Sequence, residues 1–389
     1  MADRTKEMEA SSGKATAVFV RMGSRPIPRV VRMMEVADLL GMEPLFCGAF
    51  REPDLPETDE WSGLNVTRVG PTFPLLNGRR PLLFLRSVLG FNRAVFRLLV
   101  EVRPALVHAS DLEVFPAAHL YARRSGARLL YNIHDNLAQR YPVPAMARHI
   151  LNAVEGLAVL LADDTLVPEV FRRQALPEWS RHKVSVVRNT PQDPGQSPPL
   201  DLASGRIRLF YGGWIDSGRG LPVLLQLLDV LPELELRLAG EGDKGLLERL
   251  GSHRRVEYLG FLTHAEILAE SAASHFIAAM YDPARLINRF AASNKLAEAF
   301  AIGRPVLVNS EMAIVDQLRG EACLLSTAYG DVEELALEIR KLVTDPVRYG
   351  EACRSARNLY ERHYSWEVAQ SSAERLLGCG VGQRAMPGA

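Results

Sequence analysis

Short apolar runs alternate with longer stretches whose apolar residues recur every three or four positions, and this alternation fills most of the 389-residue chain. It is the pattern of a parallel sheet whose strands are buried on both faces and connected by covering helices. Ala15 to Met22 is apolar, Gly23-Ser24-Arg25-Pro26 breaks it, and Val30, Val31, Met34, Ala37 and Leu40 then fall at helical spacing. Further strands are predicted at Pro44 to Phe50, Leu64 to Val69, Pro104 to His108, Arg128 to Ile133, Asp163 to Val167 and Lys183 to Val187, with a helix over Val114 to Arg124. These elements define a doubly wound, Rossmann-like domain over 15–190. Pro191 to Gly205 holds four Pro, two Gly and two Ser, the composition of an interdomain linker. A second series follows over 206–364, with strands predicted at Ile207 to Tyr211, Leu234 to Ala239, Val256 to Tyr258, Phe276 to Met280 and Pro305 to Asn309. Leu335 to Leu342 and Trp366 to Leu377 read as helices separated by a turn at Pro346, the last helix (about 365–380) packing back on the first domain.

Composition narrows the class. Apolar residues make up 47% and charged residues 24%, which is ordinary globular usage. The 46 basic and 46 acidic residues cancel, so no whole-chain charge draws the protein to nucleic acid. Cys47, Cys323, Cys353 and Cys379 are far apart and form neither a disulfide framework nor a metal-ligand pattern, which points to a reducing, cytoplasmic setting. The polar residues 1–14 read as a disordered lead, and no run has the roughly 18 apolar residues of a membrane span.

The stretch from Ser293 to Val306 carries the most chemistry. Ser293 is placed to cap a helix, Leu296 and Phe300 share its apolar stripe, Gly303 supplies a left-handed stop and Pro305 bars continuation. The helix start offers unpaired amides and the positive end of the dipole to a phosphate; Asn294 lies at that start, Lys295 adds a full charge, and Glu298 one turn deeper can accept ribose hydroxyl protons. A nucleoside diphosphate would satisfy all of these, although a solvated surface helix shares the same pattern. The segment NKLAEAFAIGRPVLVN resembles the nucleotide-sugar site of family 4 glycosyltransferases, in which N-K-L-x-E precedes a small-residue run, Gly and Pro-Val. The resemblance implies the GT-B fold, two Rossmann-like domains facing a cleft, with the nucleotide-sugar donor on the second, Leu296 of the motif among its contacts, and the acceptor on the first.

Other loops are placed by that resemblance. Tyr211 to Leu221 (YGGWIDSGRGL) is glycine-rich; Gly213 lets the backbone approach a pyrophosphate and Arg219 can fork two hydrogen bonds to it. Trp214 stands where the family usually has a first Arg. Glu241, within Ala239 to Asp243, resembles the family's turn near the base, although an ordinary strand-to-helix turn reads the same. Phe290 lies eight positions before Glu298, where many members carry a second Glu, which leaves Asn288, Ala292 and Ser293 as candidates for the hexose. No G-x-G-x-x-G, P-loop or D-x-D triplet occurs, and no metal is expected to be required.

On the first domain, His134 and Asp135 end a strand where the family places a His-Asp pair. They can hydrogen-bond a sugar hydroxyl, orient an acceptor or act as a base. Gly23 closes the first strand on the donor side; Ser24, Arg25, Asp111 and Asn136 are acceptor candidates. Between Arg79 and Arg148 stand eleven Arg and no Lys, against four acidic residues. Within it, 79–103 reads as an amphipathic helix with Arg79, Arg86, Arg93 and Arg97 on one face, opposite Leu85, Val88, Leu89, Val95 and Leu99, fit either to cover the sheet or to meet an anionic membrane. The reading is a retaining transfer of sugar from a nucleoside diphosphate, a UDP-sugar ahead of a GDP-sugar, to a sugar-containing or lipid-linked acceptor. His134, Asp135, Arg219 and Lys295 carry the chemistry, and Asp135 or Asp111 would be the base if the enzyme inverted. A catalytically inactive nucleotide-sugar-binding protein and a nucleotide-sugar epimerase of the same fold are the alternatives.

Overall fold

The computed structural model describes residues 14–52, 54–71, 81–140 and 143–378. The expected lead, Arg79 and Arg80 of the basic segment, Cys379 and the end of the last predicted helix lie outside the described residues. The chain divides into two compact units, 1–187 with 370–389, and 188–369.

The first unit is built on β1 (Thr16–Arg21), β2 (Glu43–Ala49), β3 (Thr58–Trp61), β4 (Leu64–Val69), β5 (Leu106–Ser110), β6 (Arg128–Asn132), β7 (Asp164–Val167) and β8 (Val184–Val186). Their order is β3-β4-β2-β1-β5-β6-β7-β8, parallel except where β3 pairs antiparallel with β4. The central strands are apolar on both faces, Ala17 to Val20 being fully buried, because helices cover both sides. The edge strand β3 was not expected from its polar sequence TDEW. Ser62 and Gly63, both at positive φ, make the two-residue hairpin that lays it against β4.

The second unit carries β9 (Ile207–Gly212), β10 (Leu234–Ala239), β11 (Val256–Tyr258), β12 (Phe276–Ala278), β13 (Val306–Asn309) and β14 (Leu324–Thr327), in the order β11-β10-β9-β12-β13-β14 and parallel throughout. Strand β14 is an addition to the expected set. So is the helix Pro346–Leu359, where a turn was read. Pro346 is its first residue rather than its breaker, and the Asp345 side chain accepts from the amides of Val347 and Arg348 at 3.1 and 3.0 Å.

The proline-rich segment expected as a linker belongs to the second unit. Arg304, fully buried, holds it by donating to the carbonyls of Ser197 (3.3 Å) and Pro198 (2.9 Å) as well as Ala272 (2.7 Å) and Ser274 (3.0 Å). The Ser197 amide in turn donates to Ile302 O at 3.1 Å.

The helix Pro81–Val102 runs through Gly90 without interruption and buries Phe91, Val95 and Leu99. Its outward face differs from the expected segregation. Leu82, Leu85 and Leu89 are exposed together with Arg86, Arg93 and Arg97, so the surface is mixed apolar and basic.

In each unit the chain reverses direction across the sheet at one place, between β1 and β5 in the first and between β9 and β12 in the second. The carboxyl ends of those strands are where open α/β sheets bind ligands.

Candidate functional site

In the second unit β9 ends at Tyr211-Gly212, and β12 runs on through Ala279 and Met280 to Tyr281. The helix Asn294–Ile302 starts beside them. Lys295 Nζ lies 4.7 Å from the centre of the Tyr211 ring and 5.2 Å from that of Tyr281, and donates to Tyr281 Oη at 3.3 Å. From the other loop, the Arg219 guanidinium lies 5.1 Å from the Tyr281 ring centre. The two cations expected to grip phosphates therefore converge on one aromatic side chain. No carboxylate pairs with Lys295 among the described residues.

The glycine loop is stitched into place. Asp216 caps the turn Ser217–Arg219 by accepting from the Gly218 amide at 2.8 Å and pairs with Arg285 at 3.0 Å. Gly218 O accepts from the Asp282 amide and from Asn288 Nδ2, both at 3.0 Å. At Gly240, a Cβ would come within 1.9 Å of Gly213 O, and at Gly242 within 2.0 Å of Ile215 O. Glycine permits this approach, which lets Gly213 N donate to Ala239 O (3.0 Å) and Ile215 N to Glu241 O (2.7 Å). Gly213 thus spends its amide on the neighbouring loop, and it sits at φ 146°, where a side chain would be strained.

Several expected roles change. Ser293 occupies the cap position but does not cap, because its Oγ accepts from Tyr281 Oη at 2.8 Å. Leu296 faces the core at 2% exposure, and its amide is taken by Ser293 O at 3.2 Å, so neither is available to a donor. Asn288 is buried with its amide nitrogen on the carbonyls of Gly218 and Asp282; it braces the loop instead of facing a hexose. Asn294 stays exposed, its Oδ1 accepting from Asn189. Glu298 approaches His264 Nε2 at 3.2 Å and is mostly covered, while Glu241 is exposed.

The first unit gathers a second cluster at its own reversal point. Asp111, held at φ 68°, accepts the amides of His134 (2.8 Å) and Asp135 (3.3 Å) on Oδ1 and Arg140 (3.2 Å) on Oδ2. Asp135 is bracketed by Arg172 at 3.0 Å and Arg140 at 3.7 Å, and Glu113 binds Arg140 at 2.7 Å. Both candidate bases are therefore committed to arginines and, for Asp111, to building the His134 turn. Arg29 Nε donates to Asn132 Oδ1 at 3.1 Å, which orients Asn132 Nδ2 toward His134 Nε2, also at 3.1 Å. His134 Nε2 is then an acceptor, and Nδ1 carries the proton. Burial, then the charges of Arg29 and Arg21, hold the His134 pKa well below its ordinary value. A neutral imidazole with its acceptor nitrogen engaged is a hydrogen-bond donor, not a base.

Gly23 lies against its neighbour: a Cβ there would come within 2.4 Å of the Arg21 guanidinium, which would have to shift. Ser24 is buried, accepting the Arg51 amide on Oγ (3.3 Å) and Arg68 Nε on its carbonyl (2.8 Å), so it supports the loop and does not reach an acceptor. Asn136 is likewise buried and closes a turn onto the Ala138 amide at 3.0 Å. Arg25 remains exposed, 4.7 Å above the Trp61 ring. Sequence reading passed over Tyr281, Arg29, Asn132, Arg140 and Arg172. The one visible signal was Asn132, a polar residue inside the apolar run of β6.

Residues 206–345 match the family described as Glycosyl transferases group 1. Glycogen synthase of Mycobacterium tuberculosis is 25% identical over 302 residues, covering 72% of this chain and 70% of that protein. Among solved structures, sucrose-phosphate synthase from Thermosynechococcus elongatus superposes with a TM-score of 0.75 at 16% identity, covering 93% of this chain and 98% of the other. HepE of Anabaena in complex with UDP-glucose gives 0.67 at 16% identity, covering 94% and 99%. With both sheets and the matching second unit in view, the fold is GT-B. The protein is a glycosyltransferase.

Proposed function

We propose that the protein moves a sugar from a nucleoside diphosphate, a UDP-sugar ahead of a GDP-sugar, to an acceptor hydroxyl with retention of anomeric configuration, in the manner of family 4. The observation that carries this reading is the convergence of Lys295 and Arg219 on Tyr281 at the start of the helix Asn294–Ile302. Positive charge fixed there stabilises the departing diphosphate as its charge develops. Those groups supply the role a divalent cation would otherwise fill, so no metal is assigned. Glu298 would accept from ribose hydroxyls, and Glu241 would lie toward the base. Retention is supported by the state of the first unit, where Asp111 and Asp135 are tied to Arg140 and Arg172 and neither is poised as the base that inversion needs. His134 would donate from Nδ1 to a sugar hydroxyl. Arg25 is the remaining exposed acceptor candidate.

The mixed surface of Pro81–Val102, with Leu82, Leu85 and Leu89 beside Arg86, Arg93 and Arg97, suits peripheral contact with an anionic membrane from the cytoplasmic side and hence a lipid-linked acceptor. Among the described residues no helix is long and apolar enough to cross a membrane. Incubation with UDP-glucose and GDP-mannose across sugar and lipid-linked acceptors, followed by NMR of the new anomeric centre, tests the reading. Donor consumption with an inverted product would remove the retaining assignment, and binding without turnover would favour an inactive binder. An altered sugar released without acceptor would indicate an epimerase.

A further inference from the structure

We propose that Tyr281 is the positioning residue of the diphosphate clamp, its ring and hydroxyl gathering Arg219 and Lys295 toward one anion. The inference rests on the donor reading above and adds a residue that the sequence motifs do not assign. Tyr281 is 2% exposed and follows β12, and its own amide is fixed by Asn309 Oδ1 at 2.8 Å, with Asn309 Nδ2 held by Glu311 at 2.9 Å. The ring is therefore anchored before the cations reach it. Arg219 and Lys295 lie over it at 5.1 and 5.2 Å, and the hydroxyl accepts from Lys295 at 3.3 Å while donating to Ser293 at 2.8 Å.

Two cations brought together repel, and something must offset that repulsion before the substrate arrives. A carboxylate would do so by pairing with them, which cancels the charge that an incoming diphosphate needs and occupies the same donors. A phenol ring attracts each cation through its quadrupole and leaves the full positive charge in place. Direction is also set: Lys295 is held between the Tyr211 and Tyr281 rings rather than swinging into solvent. The groups facing the hydroxyl are Lys295, Arg219 and Ser293, with Tyr211 on the other side of Lys295. Burial alone would raise the phenol, but Lys295, Arg219 and the hydrogen bonds to Ser293 and Lys295 outweigh it and lower Tyr281 to about 8. Ionisation above that pH removes one unit of positive charge from the clamp.

The test compares Tyr281→Phe and Tyr281→Leu with the unaltered protein by calorimetric titration with UDP, uridine and inorganic pyrophosphate at pH 7 and pH 9, together with steady-state kinetics. Loss of both ring contacts in Tyr281→Leu should weaken UDP and pyrophosphate by about 30-fold while leaving uridine unchanged. Tyr281→Phe keeps the ring and should weaken UDP by only about 3-fold at pH 7. The unaltered protein should lose UDP affinity between pH 7 and 9, and Tyr281→Phe should abolish that fall. Donor KM should rise more than kcat falls. Equal weakening of uridine and UDP in Tyr281→Leu, or an unchanged pH dependence in Tyr281→Phe, would overturn the proposal with the donor site intact. Unaltered protein that binds none of the three would overturn the donor reading itself. If Tyr281→Leu does not fold, the pH dependence of Tyr281→Phe still decides.

Discussion

At the ends of β5 and β6 in the first unit, Arg140 and Arg172 are matched by Asp111, Glu113 and Asp135 within a hydrogen-bonded loop. Beyond β12 in the second unit, Lys295 is instead held by two phenol rings, and Arg219 comes over one of them. The same place in the same type of sheet has been used for opposite electrostatic ends. Arginines paired by carboxylates leave dipoles and a neutral imidazole to a ligand, suited to uncharged hydroxyls. Cations steadied by rings keep their field, suited to a diphosphate. The two proposed sites thus share a position in the fold and differ in their charge partners.

The largest effect that would break this contrast is expected at Lys295. Lys295→Met should lower kcat/KM for the donor by about 10³-fold, roughly 4 kcal/mol of transition-state stabilisation, while a thermal melt stays near that of the unaltered protein. A loss below tenfold would mean that the ring-held cation does not meet the leaving group.

Next in size is an effect on folding in the first unit. Glu155 is buried against the Tyr131 hydroxyl, with its Oε2 on the Leu137 amide at 3.3 Å. Burial raises its pKa to about 7, against a partial lowering by those hydrogen bonds. A raised folded-state pKa means that Glu155 favours the folded state fully below the ordinary carboxylate value near 4.5, and that this is lost as pH rises to about 7. Glu155→Gln should therefore gain stability relative to the unaltered protein between pH 4.5 and 8, by up to about 3 kcal/mol in denaturant titrations. His108, lowered to about 3 by burial and then Arg29, acts in the opposite sense, adding stability above its ordinary pKa of 6.5 that is lost on acidification. A difference independent of pH would show that Glu155 is ionised in the fold.

His134→Ala should reduce kcat by about 50-fold with UDP affinity unchanged, and Asn132→Ala by about 10-fold through loss of the imidazole's orientation. Equal effects on kcat and UDP binding would blur the division of labour between the units. Glu298→Gln is the smallest case, a rise in donor KM of about 5-fold, near 1 kcal/mol, reflecting a weaker acceptor for ribose hydroxyls.

The helix Asn294–Ile302 was readable because local rules govern it: Gly303 at φ 73° stops it, and its apolar positions face the core. What escaped reading depended on partners distant in sequence. Ser293 has the right identity for a cap, yet Tyr281 takes its hydroxyl from outside the helix. Leu296 lay inside the recognisable motif, but helical phase turns it into the core. Tyr281 carries no local signature at all, since its meaning arises only when the ends of β9 and β12 and the start of this helix meet. The helix Pro346–Leu359 was missed for a different reason. It is polar on average, and Pro346 reads as a breaker unless Asp345 is recognised as the cap before it.

The match to the family model begins at residue 206, but the second unit begins earlier, at Arg188. Arg304 points its guanidinium into a nest of carbonyls, two of which come from Ser197 and Pro198. A fragment cut at the family boundary would deprive a buried cation of two of its five carbonyl acceptors, a defect of several kcal/mol by the usual cost of unpaired buried charge. Anyone isolating the second unit should therefore start the chain near Arg188.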